Sequence, residues 1–160
     1  MRIREILDTG RMVMDLQGST KKEVLEQLAA PLATTNPEID QGELIETLVK
    51  REEDSTTAIA DNIAFPHARI PLADNVEEVA AAFGLAAGGV DFDSVDQQPT
   101  RIFCLLVAPQ KHPSLSLRWI AHLARLLKDP QVRESIIAAE SADQVLDILD
   151  SAEQAQADQP

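Results

Sequence analysis

The run Ile63-Ala64-Phe65-Pro66-His67 sets an imidazole directly behind an apolar stretch and a proline. The end of a strand is a rigid mount for a side chain that must point at a partner. Pro66 fixes its own φ and removes one backbone donor, which limits drift at that edge. An unperturbed imidazole has a pKa near 6.5, so a neutral, nucleophilic ring nitrogen is available around pH 7. If one ring nitrogen donates to a carbonyl or carboxylate, the other is left as the nucleophile. Upstream, Thr56 and Thr57 offer hydroxyl donors, and Arg51 offers a planar fork of donors matched to phosphate oxygens. Phosphoryl transfer asks mainly for positioning and charge stabilisation, and these residue types supply both. Each also has a plainer reading. His67 can be a surface histidine after a strand, Arg51 an ordinary basic residue at a helix C-terminus, and the threonines partners for turn backbone. A hydrolase pairing His67 with Ser55 or Asp61 is a further arrangement.

Other chemistries find little support. The remaining histidines, His112 and His122, do not stand at metal-ligand spacing with His67, and the single cysteine, Cys104, is distant from all three in sequence. No metal or cofactor is expected. There is no Gly-rich phosphate loop and no nucleophile elbow around a serine. His112, in Lys-His-Pro, reads as a loop residue, His122 as the flank of a helix, and Trp119 as packing. The runs Glu52-Glu53-Asp54 and Glu77-Glu78 read as solvated surface. The formal net charge of −13 and pI of about 4.5 disfavour nucleic acid and anionic membranes, and the densest basic runs, Lys21-Lys22 and Lys50-Arg51, are each followed by Glu. A lone thiol inside an apolar run fits a reducing compartment. The N-terminus lacks the features of a signal peptide, and no stretch approaches a membrane span, so a cytoplasmic protein is expected.

These residues need elements to hold them. Ile3 to Met14 reads as a leading segment that packs across the domain. Thr20-Lys21-Lys22-Glu23 reads as a capping box opening a helix with Val24, Leu25, Leu28 and Leu32 on one face. Asn36-Pro37 starts a second helix in this reading, with Ile39, Leu44, Ile45, Leu48 and Val49 as its buried stripe. Residues 55 to 67 read as loop and then a short strand from Ile63 to Phe65. Further strands are expected from Val79 to Leu85, within a segment beginning at Val76, at Val90-Asp91-Phe92, and from Ile102 to Val107, with a turn at Gly88-Gly89. The last strand is continuously apolar, as suits a central strand covered on both faces. Helices follow from Ser114 to Leu127, from Asp129-Pro130, and from the capping box Ser141-Ala142-Asp143-Gln144. Helices before, between and after strands give one α/β sandwich over residues 1–150. Residues 151–160 read as a flexible polar tail.

Taken together, Arg51-Glu52, Thr56-Thr57 and Ile63-Ala64-Phe65-Pro66-His67 resemble the signature of the type 2 enzyme IIA domain of the phosphoenolpyruvate-dependent sugar phosphotransferase system, the mannitol/fructose class. The segment from Val90 to Pro99, leading into Ile102 to Pro109, is similar to its stand-alone nitrogen-regulatory members. The resemblance covers the chain to about residue 150. It implies a mixed β-sheet flanked by helices on both faces, and a phosphohistidine intermediate at His67, charged by an HPr-like phosphocarrier protein. It also implies signalling to a regulated partner by phosphorylation state, or, in sugar-specific members, transfer to a IIB domain. Two departures stand out. Glycines common in the family's loop are Ala58, Ala60 and Asn62 here, where a Cβ restricts positive φ. The position matching the family's second histidine is Ser116. These departures leave open a binding-only regulatory module that has lost transfer.

Overall fold

The computed structural model describes residues 1–71 and 78–159. The expectations placed on Val76 and Glu77 lie outside those residues.

Helix α1 (Lys21–Thr35) begins where the capping box puts it. Thr20 Oγ1 accepts the Glu23 N–H at 3.2 Å, and the Glu23 carboxylate accepts the Ser19 N–H at 3.0 Å. Its Val24, Leu25, Leu28 and Leu32 are fully buried. Helix α2 (Gln41–Asp54) starts later than Asn36-Pro37. Asn36 is bonded back to α1, its N–H and its amide both donating to the Leu32 carbonyl, so it closes one helix and cannot open the next. Asp40 takes the capping role, accepting the Glu43 N–H at 2.8 Å.

The strands are β1 (Met12–Val13), β2 (Ala58–Ala60), β3 (Ile63–Ala64), β4 (His67–Ile70), β5 (Ala80–Val90) and β6 (Thr100–Pro109). They form one six-stranded mixed sheet in the order β1-β5-β6-β3-β2, with β4 also on β6. β3 and β4 lie parallel to β6 in unbroken register, Ile63 opposite Ile102 and His67 opposite Leu106. The expected strand Ile63 to Phe65 is thus half of a longer, interrupted one. The break falls at Phe65-Pro66, where proline has no N–H to give the ladder. Gly88-Gly89 is not a turn. It lies inside β5, where the register with β6 shifts between Leu85 and Val90. Gly89 has φ +82°, and a Cβ there would lie 2.6 Å from Pro99, so only glycine suits this bulge. The half-exposed strand expected at Val90-Asp91-Phe92 stops at Val90. Phe92 turns inward instead, fully buried and edge-on to Phe103 at 5.2 Å.

Helices α3 (Ser114–Leu126), α4 (Pro130–Ile137) and α5 (Ala142–Ala157) complete the chain. Asp129 and Ser141 cap α4 and α5 as their sequences require. Helix α5 continues through residues 151–157 of the segment expected as a polar tail, and its Glu153 is buried.

The sheet separates two apolar layers. One holds α1 and α2 against Ala58, Ala64, Ala68, Ile70, Phe103, Leu105 and Val107. Gly84 lets α1 approach β5 closely, since a Cβ there would meet Leu28 at 2.7 Å. The other layer holds Ile3, Ile6 and Leu7 of the leading segment with α3, α4 and α5 against Ile63, Phe65, Cys104 and Leu106. The expected α/β sandwich, helices on both faces of a mixed sheet, is what the chain adopts. Burial pushes the Cys104 thiol up to about 12, so it stays protonated and unreactive.

Candidate functional site

His67 opens β4. Ala68 and Ile70 belong to the α1/α2 layer, so alternation along the strand turns His67 and Arg69 to the opposite face, the one α3 covers. The ring is half-buried, not enclosed in the core. Its Nδ1 lies 2.9 Å from the Phe65 carbonyl. A carbonyl can only accept, so Nδ1 is the donor in this contact, and in the neutral ring Nε2 then keeps its lone pair.

The Phe65 carbonyl is itself fixed. The Phe65 N–H donates to the Thr57 carbonyl at 3.1 Å, and the Leu106 N–H donates to the Pro66 carbonyl at 3.0 Å. Thr57 is buried, and its N–H donates to Glu52 at 3.1 Å. Its hydroxyl donates to the other Glu52 oxygen. Thr56 Oγ1 donates to the Phe92 carbonyl at 2.9 Å and accepts the Ala58 N–H at 3.1 Å. Both threonine hydroxyls expected as free donors are therefore engaged. Arg51 donates to the Ser55 carbonyl at 2.8 Å and to Ser55 Oγ at 3.3 Å, tying off the C-terminal end of α2.

Glu52 corrects the reading of its acidic run as solvated surface. It is 6% exposed, with Lys21 Nζ at 3.6 Å as its counter-ion. Helix α2 ends at Asp54, so Glu52 lies in its last turn and faces the loop that follows. Lys21 also reaches Asp93 at 3.2 Å and sits 5.1 Å from the centre of the Phe92 ring. Although Arg51-Glu52 belongs to the signature, local composition does not separate Glu52 from Glu53 beside it. Only the fold shows that its side chain turns inward.

The loop departures from glycine cost less than expected. Ala58 and Ala60 are strand residues, and the positive φ falls on Asp61 (57°) and Asn62 (66°). Those residue types tolerate the left-handed region at the tip of the β2–β3 hairpin. The Asn62 amide donates to the Pro99 carbonyl at 2.7 Å, and its own carbonyl accepts the Arg101 and Ile102 N–H groups. Asp61 stands 3.9 Å from Arg133 of α4.

Ser116 lies in the first turn of α3, 2% exposed, and its hydroxyl finds no partner among the described residues. His112 is exposed in the loop before that helix. His122 is more than a helix flank: its Nε2 lies 2.6 Å from Glu153 Oε1. Trp119 is buried and packs edge-on against the His122 ring at 5.6 Å. Among the described residues, no His, Cys, Asp and Glu cluster suited to a metal is found, and no helix is long and apolar enough to cross a membrane.

In sequence and in fold the chain is similar to known proteins. Residues 5–152 match the family described as "Phosphoenolpyruvate-dependent sugar phosphotransferase system, EIIA 2". A nitrogen regulatory protein of Pseudomonas aeruginosa is 32% identical over 93% of this chain and 95% of its own. The fructose-specific EIIABC component of Bacillus subtilis is 29% identical over 93% of this chain, which corresponds to 23% of that larger protein. The crystal structure of the nitrogen regulatory protein IIA-Ntr from Neisseria meningitidis superposes with a TM-score of 0.82 at 27% identity, covering 92% of this chain and 98% of that one.

Proposed function

This chain belongs to the EIIA 2 family of the phosphoenolpyruvate-dependent sugar phosphotransferase system, and on that premise we propose that it is a phosphocarrier whose acceptor is Nε2 of His67. The observation that carries this is the Nδ1 contact with the Phe65 carbonyl, which leaves Nε2 as the nucleophile on a half-buried ring. An HPr-like phosphocarrier protein is the donor. A bond forms between Nε2 and phosphorus as the donor's own N–P bond breaks, and the electron pair of that bond returns to the donor's ring. The transition state is loose, so alignment of the two rings matters more than covalent assistance. No cofactor takes part.

Thr57 and Thr56 act through the loop geometry they maintain, since their hydroxyls are already engaged. Arg51 reaches an incoming phosphoryl group by giving up Ser55. Ser116, at the start of α3 with a hydroxyl that has no partner among the described residues, is the position the resemblance matches to the second histidine, and in this reading it donates to the phosphoryl group. Output is regulatory: the phosphorylation state of His67 governs binding to a partner protein. Similarity to the nitrogen regulatory proteins supports this branch. Similarity to a fructose-specific component keeps a IIB domain as the alternative acceptor.

The test is incubation with phosphoenolpyruvate, enzyme I and an HPr-like carrier, followed by intact-mass measurement. One phosphoryl group should add to the wild type, labile in acid, and none to His67→Ala. A folded wild type left unmodified by a competent relay, with partner binding unchanged in His67→Ala, establishes a binding-only module instead.

A further inference from the structure

We infer that Glu52 is a positioning residue that sets the tautomer and pose of His67 from inside the fold. A continuous chain of hydrogen bonds connects them. The Glu52 carboxylate accepts the Thr57 N–H at 3.1 Å and, on its other oxygen, the Thr57 hydroxyl. The Thr57 carbonyl accepts the Phe65 N–H at 3.1 Å. The Phe65 carbonyl accepts the proton on His67 Nδ1 at 2.9 Å. Two residues, Thr57 and Phe65, separate the carboxylate from the imidazole, and each is held through both its N–H and its carbonyl.

The charge of Glu52 matters as well as its shape. With 3% of its side chain exposed it has little water to satisfy it, and Lys21 Nζ at 3.6 Å is its only ion-pair partner among the described residues. A buried carboxylate accepting hydrogen bonds makes stronger ones than a neutral acceptor would. The loop bearing Thr57 is thus held against the end of α2. Its neighbour Thr56 is tied the other way, to the Phe92 carbonyl, and Lys21 lies over the Phe92 ring. The loop is therefore clamped from two sides. Without the Glu52 clamp the Thr57 carbonyl is free to shift, the Phe65 carbonyl follows, and the Nδ1 proton loses its fixed acceptor. Neutral imidazole then divides between its two tautomers, and the form with the proton on Nε2 has no lone pair to offer there.

This inference rests on the proposed role of His67, but its main readout does not need transfer to occur. Ring 15N shifts of His67, assigned with His67→Gln, report which nitrogen carries the proton in the neutral form. In the wild type Nδ1–H should dominate. Glu52→Gln should move the tautomer ratio at least threefold toward Nε2–H and slow phosphorylation roughly tenfold or more in kcat, with KM for the donor nearly unchanged. Thr57→Ser should keep both properties and Thr57→Val should shift the ratio at least twofold, while Glu53→Gln, on the exposed neighbour, should change nothing. A folded Glu52→Gln protein with the wild-type tautomer ratio overturns the inference. If that variant does not fold, an unshifted ratio in Thr57→Val does so. If the wild type accepts no phosphoryl group at all, the proposed function fails while the tautomer ratios still decide the role of Glu52.

Discussion

Two buried glutamates, far apart in the chain, use one device to different ends. Glu52 and Glu153 keep only 3% and 5% of their side chains exposed. Each accepts a backbone N–H, from Thr57 at 3.1 Å and from Ile3 at 2.8 Å. Each accepts a second donor, the Thr57 hydroxyl in one case and His122 Nε2 in the other. Each faces a cation, Lys21 at 3.6 Å and Arg2 at 3.7 Å. What differs is the distance along the chain that the carboxylate closes. Glu52 reaches 5 residues ahead and shapes one loop, the loop whose next hydrogen bonds lead to His67. Glu153 reaches 150 residues back, and 31 to helix α3, and so fastens the leading segment to the C-terminal helix. A local carboxylate clamp governs the pose of a side chain. A long-range one governs whether the termini stay docked. Loss of the first is read in the chemistry of one ring, and loss of the second in the stability of the whole.

That contrast makes Glu153→Ala the largest expected change in stability. Ile3 would keep a buried N–H without an acceptor, His122 would lose its carboxylate partner, and Arg2 would be left with Asp150. Removing one partner from a buried, hydrogen-bonded carboxylate costs about 3 kcal/mol. Urea unfolding should show a loss of that order, with the His67 tautomer ratio and phosphorylation rate of the folded protein unaltered. If the His67 readouts move as they do for Glu52→Gln, the two sites are coupled and the division proposed here is wrong. His122→Phe should cost less, about 1.5 kcal/mol, because the ring packing with Trp119 is retained and Glu153 still has Ile3 and Arg2. A thermal melt of the two variants side by side checks the order, and a larger loss for His122→Phe would place the anchor on the histidine.

The sequence shows these two sites unequally. His67 is legible because a proline, an apolar run and upstream hydroxyl and guanidinium groups surround it within a short span. The two apolar layers are legible too, since Leu28, Leu32, Leu44 and Leu48 recur at helical spacing and Ile102 to Val107 is apolar throughout. The burial of Glu52 is not, although Arg51-Glu52 carries part of the resemblance, because it sits in an acidic run and is covered only when α1 and the following loop fold over it. Glu153 is hidden for the same reason, in a polar, Ala-rich stretch that helix α5 turns inward. Strand β2 escapes notice because Ala58-Ile59-Ala60 is short and gains its partner, β3, only through the hairpin at Asp61-Asn62. Gly88-Gly89 carries the composition of a turn, yet β6 runs past it and makes it a bulge. For Glu153 and for Gly88-Gly89 the deciding contact lies outside any local window.

The smallest change expected at the terminal clasp is also the one with a pH signature. Asp150 lies 3.0 Å from Arg2 and 3.3 Å from Arg4. The hydrogen bond from Arg2, and after it that from Arg4, holds its carboxyl below the usual carboxylate range. A carboxyl whose folded value is depressed stabilises the fold above its unfolded value, near pH 4, and that contribution disappears as pH falls through the lower, folded value. Asp150→Asn should therefore be slightly less stable than wild type at neutral pH, and the difference should close in acid. Because both arginines are substantially exposed, added salt should shrink it as well. Urea midpoints of the two proteins across pH 2.5 to 7, at low and high salt, give the comparison. A gap that persists unchanged into acid would mean that Asp150 acts through packing rather than charge, leaving the electrostatic hold of the clasp to Glu153 and the Arg4–Asp147 pair.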